Sequence, residues 1–126
     1  VHRRHFLAAA AAVPLAGCST FSSGEDDPSR LDLTVQNDRD GPVTVDVSVV
    51  GEDGTTYEST SDQVDSGVAR TFDVTVGASG RHEATVSSGD WEGRVAWQAD
   101  ACSLFDGSVR VTAESVEVAS ECVQQR

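Results

Sequence analysis

From Arg30 to Cys122 apolar and polar residues alternate with period two, and no stretch repeats its apolar positions at helical spacing. Leu31, Leu33 and Val35 share one parity. Val43, Val45, Val47 and Val49 share another, with Thr44, Asp46 and Ser48 opposite, the pattern of a half-buried strand. Phe72, Val74 and Val76 mark a further strand, then His82, Ala84 and Val86, then Trp91, Gly93, Val95 and Trp97. Val109 and Val111, followed by Val116, Val118 and Cys122, mark the last two. Residues 55–61, around Tyr57, form a more polar strand suited to an edge. Turn residues fill 37–42, 51–54, 77–80 and 87–90. Residues 62–67 and 102–107 read as loops. The second of these offers Leu104 and Phe105 either as a surface patch or as a cap on the end of the fold. Seven to eight strands spaced by about ten residues predict an all-β antiparallel sandwich or barrel. Val occurs 19 times while Ile and Met are absent, so the core is expected to be modest in area.

The first part of the chain breaks this pattern. Arg3-Arg4 precede Phe6 and Leu7, and residues 6–17 form an Ala-rich apolar run. The run has the length of a signal-peptide core and is too short for a comfortable membrane span. The paired Arg resembles the twin-arginine export signal. Leu15-Ala16-Gly17-Cys18 resembles a lipobox, in which the small residues admit a peptidase and the Cys carries a lipid. A buried Ala-rich helix with an incidental cysteine is the competing account. It leaves the double Arg, Pro14 and the abrupt polar change after Cys18 unexplained. The expected organisation is therefore a signal peptide at 1–17, a lipid-anchored linker at 18–29, a sandwich at 30–123 and a tail at 124–126. The linker is polar and acidic, with Glu25-Asp26-Asp27, and cannot bury enough to order itself.

Charge sharpens the picture. The 126 residues hold 21 acids against nine Arg and no Lys, for a net charge of −12. That sign argues against nucleic acid and against electrostatic docking on anionic lipid. Cleavage before Cys18 would remove Arg3 and Arg4 and no acid, leaving seven Arg against 21 acids, or −14, on 109 residues. Such a chain repels itself in dilute buffer, and the repulsion fades as the Debye length shrinks at high salt. Acid excess without Lys fits a protein from a salt-loving archaeon. The plainer reading is an acidic protein from a GC-rich bacterium.

With Cys18 assigned to lipid, Cys102 and Cys122 remain as a pair, and an exported chain can keep a disulfide. A metal-binding pair would want two further Cys or His, and only His82 lies beyond the signal segment. His82, with Ala84 and Val86, reads as a packed ring rather than a base, and no nucleophile-elbow motif accompanies it. Asp38, Asp40 and Gly41 suggest a calcium loop only faintly, because Gln36 and Val47 stand where acidic ligands belong. A turn is the better account. Trp91 and Trp97 could form a ligand platform, but their shared parity favours one core face. No catalytic set, cofactor site or metal site is expected.

Residues 68–76 (Val-Ala-Arg-Thr-Phe-Asp-Val-Thr-Val) and 80–86 (Gly-Arg-His-Glu-Ala-Thr-Val) resemble the middle hairpin of immunoglobulin-like sandwiches. Trp97, Cys102, Phe105-Asp106-Gly107 and Cys122, joined to the export motifs, resemble small haloarchaeal twin-arginine-exported lipoproteins with one such domain. His82 departs from the aromatic that pattern favours. The cysteines lie close together near the end of the chain, so antibody-style topology is not implied. The resemblance implies a non-enzymatic protein on the extracytoplasmic face of the membrane, anchored through Cys18, presenting an Ig-like module to an unknown protein or small ligand. The alternative is a small-ligand carrier or an accessory subunit of a transporter or redox chain.

Overall fold

The alternating segments pair into two four-stranded sheets packed face to face. The computed structural model describes residues 27–126, so Arg3, Arg4 and Cys18 lie outside the described residues. In chain order the strands are β1 (Ser29–Asn37), β2 (Val43–Gly51), β3 (Thr56–Val64), β4 (Ala69–Val76), β5 (Arg81–Ser88), β6 (Trp91–Gln98), β7 (Cys102–Val111) and β8 (Val116–Gln125). One sheet runs β4-β1-β7-β8 and the other β3-β2-β5-β6. All regular structure among the described residues is strand, and the architecture is a β-sandwich.

Pairing is antiparallel throughout except between β1 and β7, which run parallel. In antibody constant domains the first two strands lie side by side in one sheet. Here β1 and β2 lie in opposite sheets. The segments that resemble a middle hairpin are not one either: β4 and β5 also lie in opposite sheets. The chain crosses between the sheets through residues 77–80, and Gly80 takes a left-handed φ of 89° there.

The inner faces follow the predicted parity. Leu31, Leu33 and Val35 of β1 meet Val45, Val47 and Val49 of β2 in a core that also takes in Val86 of β5 and Val109 and Val111 of β7. Polar β3 is an edge strand, as its composition suggests, although it continues to Val64 and so absorbs part of the expected 62–67 loop. Two mid-strand glycines let the sheets approach. A Cβ on Gly107 would lie 3.2 Å from Val95, and one on Gly93 would lie 3.1 Å from Val118 and 3.5 Å from Val109. Each glycine thus faces a valine across the interface, an alternation of small and large residues that fills the layer.

The 37–42 segment is a turn built on Asn37. Its buried Nδ2 donates to the carbonyls of Gly41 (2.8 Å) and Val64 (2.9 Å), and its Oδ1 accepts from the Arg39 amide. Asp38 is engaged by the Arg110 guanidinium at 2.5 Å, which, with Gln36, holds its carboxyl below the usual carboxylate range.

The 102–107 loop does not exist as such. Cys102 opens β7, and the whole stretch is strand. The turn at residues 98–101 carries the chain into the other sheet, and the alternation of β6 does not extend across such a crossing. A register shift against β8 between Cys102 and Phe105 then turns both residues inward. Phe105 is therefore core, and Leu104 is half-buried rather than part of a free patch.

Candidate functional site

The alternation of β6 aims Gly93, Val95 and Trp97 at the core and leaves Trp91 half-buried on the same face. Trp97 is 6% exposed, so it is a core tryptophan and not an open platform. Its ring stacks on Phe105 with centroids 5.0 Å apart and planes 10° apart. On its other side lies His82 at 5.5 Å, and beyond that Tyr57 at 5.4 Å from His82. Four rings thus form a row from β3 through β5 and β6 to β7. No sequence window places these four together, because each comes from a different strand.

His82 is 2% exposed. Its Nδ1 lies 3.1 Å from the Gly80 carbonyl, which can only accept, so Nδ1 carries the proton and donates. Nε2 is buried without a hydrogen-bond partner. This is a packed ring between two aromatics, as its parity suggests. Beside it Glu52, Asp53, Tyr57 and Ser79 surround a depression of about 210 Å³. The Thr55 amide donates to Asp53 at 3.0 Å and holds that carboxyl below its ordinary range.

At the other end of the aromatic row the sandwich is pinned by a disulfide. Cys102 and Cys122 are bonded, with Cα atoms 5.9 Å apart, and the bridge ties β7 to β8 within one sheet. Edge strands β6 and β8 of opposite sheets face one another here, and a cleft of about 500 Å³ opens between them. Trp97, Phe105 and the bridge form its floor, with Ala96, Ala101 and Arg126 around it. The segment expected to be a tail is a working part of this end. β8 runs to Gln125, and Arg126 donates from Nε to the Ala99 carbonyl at 2.8 Å. Its Nη2 donates to the Asp27 carbonyl at 2.6 Å and to Ser29 Oγ at 3.0 Å.

No protein-family model matches this chain, and no curated protein matches it. What the surface can do is therefore read from its own residues. Among the described residues, no group of three or more His, Cys, Asp or Glu is placed to hold a metal ion. Of the residues singled out by sequence, Cys102, Cys122, Trp97 and Phe105 meet at one cleft, while Trp91 sits at the far end of β6. Arg126 escaped sequence reasoning. Nothing in its neighbourhood alternates in a way that marks a docked side chain.

A second charged feature lies on the outer face of the β4-β1-β7-β8 sheet. Register sets Asp73 beside Asp32, Asp32 beside Asp106, and Asp106 beside Glu121, so one row of carboxylates crosses all four strands. Like charges in directly opposed positions destabilise a sheet. Arg30 approaches only two of them, at 3.7 Å from Asp32 and 3.9 Å from Asp73. The hydrogen bond shared with Asp73, then partial burial, then the Asp73 charge raise the Asp32 carboxyl above its ordinary 3.8. A raised acid takes up its proton earlier in the folded state, so this group's contribution to stability falls as pH rises from about 3.8 through the folded value. Asp32→Asn is accordingly expected to stabilise the fold by about 0.5 kcal/mol at neutral pH in dilute buffer. The gain should shrink in molar KCl and below the pH where Asp32 protonates. Denaturant midpoints across pH and KCl check this, and a destabilised variant at pH 7 would contradict it.

Proposed function

We propose that this chain is an exported, lipid-anchored surface protein whose β-sandwich serves as a non-enzymatic binding module in a high-salt setting. The observation that carries the reading is the order of Arg3-Arg4, the apolar run 6–17 and Leu15-Ala16-Gly17-Cys18. The Cys102–Cys122 bridge supports it, because disulfides persist in oxidising compartments outside the cytosol. The likeness to haloarchaeal lipoproteins with an Ig-like domain belongs to the same proposal. So does the acid excess, read as the coat of a domain in concentrated salt.

The tether would join the sandwich beside the cleft, since Arg126 holds Asp27 and Ser29 there. Eight residues lie between Cys18 and Asp27. Extended, they reach at most about 30 Å, so a lipid on Cys18 would keep the bridged end near the membrane. A two-chain lipid gives stable anchoring, which one chain does not.

Cys18→Ser is expected to move the protein from the membrane to the soluble fraction of the producing cell. Retention of the variant in washed membranes would overturn the anchoring reading. The cleft also favours a second reading, that of a small-ligand carrier. The middle of the sandwich is filled by Leu and Val, but the bridged end is open enough to admit a small molecule.

A further inference from the structure

We infer that the free edge of β8 docks a second copy of this chain, the two β8 strands pairing antiparallel about a two-fold axis at Ser120. This surface lies outside the binding-module reading, and neither it nor its test depends on anchoring through Cys18.

The sandwich has four edge strands, and β8 is the least defended. On one side, β3 and β4 carry charge on their inner faces. Register puts Glu58 opposite Val49, Asp62 opposite Val45 and Arg70 opposite Val35. Asp62 and Arg70 close that side with an ion pair at 2.8 Å. Inward charges at an edge block the approach of another strand. On the other side, β6 is eight residues long and holds Glu92 and Arg94 in a hydrogen-bonded pair on its outer face. β8 has ten residues and no inward charge, because Val116, Val118, Ser120 and Cys122 share its inner face. Only Val116 and Cys122 of the ten escape full exposure. Two of the three exposed large apolar side chains among the described residues stand here, Val118 at 42% and Val123 at 52%. No described strand pairs with the outer edge of β8. A long edge with unpaired main-chain groups and exposed valines is a template for a further strand.

The charge pattern along β8 selects its own copy as that strand. Its outer face carries Glu117, Ala119 and Glu121. Two identical strands pair antiparallel about a two-fold axis, a contact that closes on itself. With the axis at Ser120, Glu121 lies opposite Ala119 and Glu117 opposite Val123, so no carboxylate faces another. On the inner face, Val118 of each copy meets Cys122 of the other. Both exposed valines are covered. An axis at Ala119 would set Glu117 against Glu121 twice, and an axis at Glu121 would set that residue against itself. Like charges so placed destabilise a sheet. Each copy carries a net charge of −12, so repulsion opposes association in dilute buffer and fades as salt shortens the Debye length. Antiparallel pairing points the two bridged ends, where Ser29 enters, in opposite directions. Anchored copies meet that geometry with their strands along one membrane or between two facing ones.

The test uses the full chain carrying Cys18→Ser, which lacks the lipid site. Sedimentation in molar KCl is expected to show a dimer with a Kd of about 100 µM, weaker in dilute buffer. Val118→Lys is expected to weaken it at least about tenfold, whereas Val68→Lys, at the exposed valine away from β8, leaves it unchanged. Paired residues at the axis have Cα atoms about 4.5–5.5 Å apart, within reach of a disulfide. Ser120→Cys is therefore expected to give a crosslinked dimer, while Gln63→Cys, exposed on the guarded β3 edge, stays monomeric. Should Val118→Lys fold poorly, the crosslink carries the test. A monomer at millimolar concentration in molar KCl, a dimer indifferent to Val118→Lys, equal loss with Val68→Lys, or equal crosslinking through Gln63→Cys would each overturn the proposal.

Discussion

Replacing Trp97 with Ala is expected to lower the stability of the sandwich by about 3–5 kcal/mol, the usual loss for a large aromatic removed from a core. The side chain is 6% exposed and lies between His82 and Phe105. Truncation removes its buried area, both ring contacts and the floor of the cleft, and strands are poorly able to collapse around such a gap. Domains of this size have roughly 5–15 kcal/mol in total, so the variant should stand near the edge of folding. Trp91→Ala is the control. Trp91 is half-buried near the start of β6, and its loss should be less than about half as large. Denaturant unfolding followed by far-UV dichroism compares the two. Equal losses would contradict the placement of Trp97 as the central aromatic.

Removing the bridge should rank next. The paired substitution of Cys102 and Cys122 by Ala opens a loop with a sequence separation of 20. Chain entropy assigns such a crosslink about 3 kcal/mol, acting through the unfolded state. The structure adds where the damage should appear. β8 is an edge strand, most of its residues are exposed, and Val123 is 52% exposed. Without the bridge its last residues are held by the β7 ladder and by Arg126. Amide exchange should therefore rise first in residues 121–126, including the Arg126 amide, which donates to the Ala101 carbonyl at 3.1 Å. An unfolding midpoint unchanged by reduction would contradict both the size and the site of the effect.

These two expectations differ in how much of them the sequence carried. Inward parity of Trp97 was legible because alternation along β6 is a local property of one strand. The disulfide was legible by elimination, since the sequence around one cysteine resembles a lipobox and that around the other two does not. Phe105 was not legible. The register shift near Cys102 lets residues three apart both face inward, which strict alternation forbids. Arg126 and the cleft were not legible either. They depend on β6 and β8 meeting from opposite sheets, and the two strands carry no mark of that meeting.

The carboxylates show the same division. Asp32 and Asp73 occupy outward positions of their strands, and the pattern alone says so, whereas Asp106 lies in a stretch that reads as loop and takes its outward place only with the register of β7. That they stand in one row with Glu121 follows from register between strands far apart in the chain. Taken alone, the sequence determined an all-β chain, the inward faces of most strands, the cysteine pair and a strongly acidic surface. The tertiary structure decided the strand order, the parallel β1–β7 pair, the carboxylate row and the aromatic cleft with its docked arginine. The reason is that side-chain direction is set by period-two backbone geometry within a strand. Which strands become neighbours is set by competition among distant segments for the same buried area, and no single segment records the result.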